Sequence, residues 1–280
     1  MERFSLDNGL RVVLAPDRSV PVVAVSVFYD VGMRNEPEGR TGFAHLFEHM
    51  MFQGSAHVPK MEHARLVQAA GGTFNGSTHQ DYTNYYEALP SEALERALFL
   101  EADRMKSLDI NKANLDNQRA AVQEERRLRM DNQTYGKTFE RTGEQAYDNP
   151  AYKHSVIGSM EDLNAASVDD VATFFKTYYA PNNAVLSIVG DVDTAAVRAR
   201  AERYFGGIPA NPSIPPLGDL SLPPTLGGEI RETVHDKVPL PRIYIGFRAP
   251  VYGDPRLDAL DVAGQILAGG KGSRLHRRLV

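Results

Sequence analysis

The chain has 280 residues, a formal net charge of −5 and no cysteine. The missing cysteines exclude disulfides and thiolate metal centres, and the acidic balance leaves no basic footprint for nucleic acid or an anionic membrane. No apolar run approaches the roughly 18 residues that a membrane-spanning helix requires.

In chain order, the first five residues read as a strand entering an Asn8-Gly9 turn, with no apolar leader segment, so a cytoplasmic setting is the simplest expectation. Strand-like runs follow at 11–15 and 20–29, then an apolar helix over 43–52 and a second helix at 61–70. Thr41 in the Gly39-Arg40-Thr41-Gly42 turn is the expected N-cap of the first of these helices. Strands at 73–77 and 84–89 precede helical patterns at 91–108, 115–130, 137–146 and 168–178. A strand at 184–189 and a helix at 194–205 complete this part. Helices and strands do not alternate strictly, which predicts an α+β fold, an antiparallel or mixed sheet with helices on one face. Residues 208–228 are rich in proline and glycine and read as a linker between a domain at 1–207 and an incomplete second domain at 229–280. That second part repeats the opening order faintly, with a strand at 242–249, a loop and a helix at 257–267 that carries no histidine.

The chemistry concentrates in His45-Leu46-Phe47-Glu48-His49. Residues four apart on a helix project one above the other, so His45 and His49 can share a metal ion. Glu48 lies on the same face, close enough to reach a water on that ion. This is H-x-x-E-H, the reverse of the H-E-x-x-H arrangement of zinc peptidases. A helix that is otherwise apolar is buried, and buried polar groups need partners, which a metal provides. A catalytic zinc site requires a third protein ligand. Candidates occur in the charged run 118–127, where spacing alone leaves Glu124 and Glu125 equivalent, either of them also able to serve as a solvated partner of Arg126 and Arg127.

Several ordered segments resemble the insulinase/pitrilysin family of zinc peptidases, the inverzincins, and most closely its shorter branch of mitochondrial processing peptidases and bacterial relatives. They are Asp30-Val31-Gly32-Met33-Arg34-Asn35-Glu36, the run 42–52, Gly71-Gly72-Thr73-Phe74-Asn75-Gly76, Glu101-Ala102-Asp103-Arg104-Met105, Val122-Gln123-Glu124-Glu125-Arg126-Arg127, Pro181-Asn182-Asn183-Ala184 and Val189-Gly190-Asp191-Val192. The resemblance implies one Zn2+ held by His45, His49 and Glu125, with Glu48 as the general base of peptide hydrolysis. It implies an edge strand at 73–77 that pairs with substrate, with Asn75 as a substrate contact, although Asn75 reads equally well as a turn residue. Gln118 stands where the family often has an acidic residue supporting the site. The family is built from two homologous halves, of which the second supplies an arginine and a tyrosine toward the substrate. No residue up to Val280 matches that pair, so the expectation is a chain that binds zinc and cleaves poorly without a complementing half, a homodimer mate or a partner subunit. The alternative reading is a non-catalytic scaffold subunit, although such subunits usually lose part of the H-x-x-E-H set. Tyr82, Tyr85 and Tyr86 are expected in the sheet core. His57, His63, His154, His235 and His276 have no partner spacing.

Overall fold

The computed structural model describes all residues, 1–280. Six strands, β1 (Glu2–Ser5), β2 (Arg11–Pro16), β3 (Val22–Tyr29), β4 (Thr73–Thr78), β5 (Thr83–Pro90) and β6 (Ala184–Gly190), form one sheet in the order β1-β2-β6-β3-β5-β4. Only β2 and β6 run parallel; the other pairs are antiparallel. The fold is therefore α+β with a mixed sheet. Alternation along β3 shows why the sheet is covered on one face. Val23, Val25, Val27 and Tyr29 are buried, whereas Val22, Ala24 and Phe28, which alternate with them, are exposed.

Ten helices follow the chain: α1 (Phe43–Met50), α2 (Glu62–Ala69), α3 (Leu94–Ser107), α4 (Lys112–Arg126), α5 (Thr138–Ala146), α6 (Met160–Ala165), α7 (Val168–Tyr178), α8 (Thr194–Phe205), α9 (Pro255–Ala268) and α10 (Arg274–Leu279). α1 to α4, α7 and α8 share one core of apolar side chains with the buried face of the sheet. Phe47 of α1 packs on Phe174, Phe175 and Tyr179, at ring-centroid distances of 5.9, 5.7 and 4.2 Å. α4 ends in a π-helical turn, Arg127–Asp131, closed by an i→i+5 bond from Asn132 N to the Arg127 carbonyl at 2.8 Å.

Three expectations are corrected. Thr41 does not cap α1, because its N–H and hydroxyl both donate to Asp162 of α6, at 3.0 and 2.6 Å. The cap position is Gly42, in the left-handed region at φ 87°, and Glu36 accepts from the N–H groups of Gly42 and Ala44 at 2.8 and 2.7 Å. Residues 242–249 form no strand. They lie along α5, with Arg242 over the Tyr135 ring at 3.9 Å and Arg248 donating to the Ala146 carbonyl at 3.0 Å. A helix surface offers no backbone ladder, so this extended run stays unpaired and Ile243, Ile245 and Phe247 remain exposed. Of the three tyrosines only Tyr85 is core; Tyr82 and Tyr86 stand on the open face.

One cluster was invisible in the sequence because its members come from three elements. His63 of α2, Glu87 of β5, and Glu101 and Arg104 of α3 are all buried below the C-terminal end of α1. His63 Nε2 stands 2.8 Å from Glu87 Oε1, Arg104 pairs with Glu101, and the Arg104 guanidinium lies over Phe52 and Tyr85 at 5.1 and 4.5 Å. Burial pushes the Glu87 carboxyl up to about 7 and the His63 imidazole down to about 3. A carboxyl raised on folding binds its proton more tightly in the native state, so stability falls as pH rises from the unfolded-state value toward 7. Glu87→Gln should thus stabilise the protein at pH 8 by on the order of 1–3 kcal/mol and change little at pH 5, read from urea midpoints at both pH values.

A second stability prediction concerns backbone. At Gly158, φ is +75° and a Cβ would fall on the Thr41 carbonyl and the Gly42 nitrogen, whereas nothing approaches within 4 Å of a Cβ at Gly143 on α5. Gly158→Ala should cost on the order of 2 kcal/mol or more, and Gly143→Ala should stabilise by about 0.5–1 kcal/mol, by the same urea titration.

Candidate metal centre

The local sequence of α1 gives the centre its platform. Phe43, Ala44, Leu46, Phe47 and Met50 are buried, and the remaining polar positions His45, Glu48 and His49 share one partly exposed face at i, i+3 and i+4 spacing. α4 crosses this face. Arg119 fixes its position by donating to the Leu163 carbonyl of α6 at 2.9 Å and to that of Ala166. Glu125 projects from the last turn of α4, its Oε2 lying 3.6 Å from His45 Nε2 and 3.3 Å from His49 Nε2. Glu124, the other candidate, turns outward; its carboxylate is 57% exposed and pairs with Arg127 at 3.0 Å. The geometry therefore groups Glu125, and not Glu124, with the two histidines.

The three residues fit a zinc ion. Their ligand atoms all lie within 4.8 Å of one another. Metal–ligand bonds of about 2.0–2.1 Å in a tetrahedron place neighbouring donors about 3.3–3.4 Å apart, close to the two nitrogen–oxygen separations of 3.3 and 3.6 Å. Burial, the adjacent His49 and the Arg129 guanidinium push His45 down to about 3, so its ring is neutral and its lone pair free. Two imidazole nitrogens and one glutamate oxygen form a donor set suited to zinc. His49 Nδ1 donates to Gln118 Oε1 at 3.3 Å, which leaves Nε2 as the donor atom. Gln118 thus supports the site with a neutral amide oxygen where a carboxylate would be more basic. His45 Nδ1 is buried and has no such partner.

Glu48 lies against β4. Gly76 makes this possible, since a Cβ there would stand 3.1 Å from Glu48 Cγ and 3.2 Å from the Tyr85 ring. The Thr78 hydroxyl donates to Glu48 Oε2 at 2.6 Å. Burial raises the Glu48 carboxyl above the usual glutamate range, partly opposed by the Thr78 hydrogen bond and by His49 and His79. Thr78 was not singled out in the sequence. It follows from the strand period, which puts 74, 76 and 78 of β4 on the helix-covered face.

Asn75 is not drawn to this group. It is exposed, opposite Tyr86 in the ladder, and its Oδ1 accepts from the Gly76 N–H at 2.9 Å. β4 pairs with β5 on one side only and is an edge of the sheet. His57, without partner spacing in the sequence, meets Asp103 at 2.7 Å.

Comparisons with known proteins place the chain in a family. Residues 11–159 match "Insulinase (Peptidase family M16)", and residues 165–280 match "Peptidase M16 inactive domain". Zinc protease PqqE of Helicobacter pylori is 33% identical over 287 residues, covering 100% of this chain and 63% of that protein. Subunit 1 of the human mitochondrial cytochrome b-c1 complex is 27% identical over 94% of this chain and 54% of its own length. The crystal structure of a protease from Helicobacter pylori superposes with a TM-score of 0.88 at 31% identity, covering 100% of this chain and 68% of that one. The chain spans a little under two thirds of the curated zinc protease that it matches. On this sequence and structural likeness, the chain belongs to the insulinase family, peptidase family M16.

Proposed function

We propose that the chain is the metal-binding part of a zinc-dependent endopeptidase acting on extended peptides or unfolded polypeptide segments. The observation that carries this reading is the convergence of His45 Nε2, His49 Nε2 and Glu125 Oε2, with the Glu48 carboxylate on the same face of α1. Zinc bound there supplies Lewis acidity that polarises a peptide carbonyl and acidifies a water.

The chain's own groups account for the proton transfers. Thr78 occupies Glu48 Oε2, which leaves Oε1 to take a proton from the attacking water. The raised Glu48 carboxyl is a stronger base than an ordinary glutamate and, once protonated, an acid able to pass its proton to the leaving amine. β4 is the edge on which an extended substrate would add as a further strand. Asn75 would meet that strand, releasing the Gly76 N–H it now holds. A second wall for the substrate would come from a homologous half, a homodimer mate or a partner subunit.

A non-catalytic subunit is the second reading, favoured by the match to the inactive domain and by the likeness to a cytochrome b-c1 subunit. Digestion of a peptide library with and without chelator, read by mass spectrometry, separates the two. Chelator-sensitive cleavage supports the peptidase, and no cleavage in the presence of any complementing half supports the subunit.

Two sets of substitutions test the assignments. His45→Ala, His49→Ala and Glu125→Ala should each abolish stoichiometric zinc, while Glu124→Ala keeps it, by metal analysis of purified protein. Loss of zinc in Glu124→Ala alone would move the ligand by one residue. Glu48→Gln should retain zinc and lower turnover on the order of 10² or more; parental turnover would remove Glu48 from the chemistry.

A further inference from the structure

Glu125 divides its two oxygens. Oε2 faces the imidazole nitrogens of His45 and His49 at 3.6 and 3.3 Å, while Oε1 is bound by the Arg129 guanidinium at 2.8 Å. Arg129 belongs to the π-helical turn that follows α4, and its side chain is 75% exposed. A long exposed side chain would normally be free to wander.

Here the backbone beneath it is fixed. Arg126, the residue after Glu125, is buried and donates to the Gly158 carbonyl and to Glu140 at 2.8 Å. Gly136 lets the following loop close beneath the turn, because a Cβ at that position would fall on the Met130 carbonyl oxygen. Arg127 is directed to Glu124 on the solvent side, so Arg129 is the arginine of this segment that reaches Glu125. π-helical turns inside α-helices occur disproportionately at functional sites.

We propose that Arg129 is a positioning residue that keeps Glu125 a one-oxygen donor. The inference rests on the zinc-binding reading of the triad. A carboxylate free of Arg129 can offer both oxygens to one cation and so fill the position that a catalytic centre must keep open for water. With Oε1 committed to the guanidinium, only Oε2 is presented to the histidines. The role differs from that of Gln118, which orients an imidazole; Arg129 sets how many oxygens Glu125 supplies.

The test uses the full chain with Co2+ in place of zinc, because cobalt reports its coordination number in the visible spectrum. The parent protein should give the intense absorption of a four-coordinate centre. In Arg129→Ala that absorption should fall by roughly twofold or more as coordination rises, with the thermal transition unchanged. Arg129→Lys should recover most of the parental spectrum, since an ammonium can still hold Oε1. Arg127→Ala, which alters only the Glu124 pair, should leave the spectrum as it was. A parental spectrum in Arg129→Ala would overturn the positioning role while leaving the zinc reading intact. Failure of the parent protein to bind Co2+ or zinc at all would overturn both.

Discussion

α1 is buried on most of its surface, and its neighbours are arranged around that burial. Eight residues must place five apolar side chains in the core and still leave His45, Glu48 and His49 on a usable face. Each neighbouring element answers one part of that demand. α7 supplies the aromatic wall against Phe47. Glu36 accepts from the first amides of the helix; burial raises its carboxyl well above the usual glutamate range, and those N–H groups oppose that shift in part. β4 can approach the polar face because Gly76 has no side chain. α4 then closes over the same face with Glu125. The centre is therefore assembled from elements about 80 residues apart in sequence, and the core packing fixes its geometry.

That dependence explains what could be read from the sequence. Helices with strong period and clear caps, such as α7 and α8, fall at their expected bounds, whereas the motif helix starts where expected, at Phe43, and ends two residues early, at Met50. Tertiary partners decide the remainder. Glu124 and Glu125 are equivalent in spacing and separate only when α4 has a defined rotation against α1. Thr41 has the composition of a cap, yet a longer-range carboxylate takes that task and Thr41 binds Asp162. The run at 242–249 has the alternation of a strand and lacks a sheet edge to join. His63 and Glu87 carry no motif; only the packing of α2 on β4 and α3 brings them together.

The residues around the centre fall into two electrostatic settings. His45 and Glu48 are buried enough for desolvation to dominate, which favours a neutral imidazole and a more basic carboxylate. Below them, the Arg104 cluster places a guanidinium over Phe52 and Tyr85, next to the strand that carries Gly76 and Thr78. This puts a charged, fully buried group beneath the floor of the site, where its loss would be felt by β4 and α1 together.

His45, His49 and Glu125 are proposed to form a zinc centre with an open position. X-ray absorption at the zinc edge of the purified protein tests it most directly. The expected result is about one zinc per chain, nitrogen and oxygen ligands at about 2.0–2.1 Å, and the multiple-scattering signature of two imidazoles. Absence of bound zinc, or a six-oxygen shell without imidazole, would contradict it.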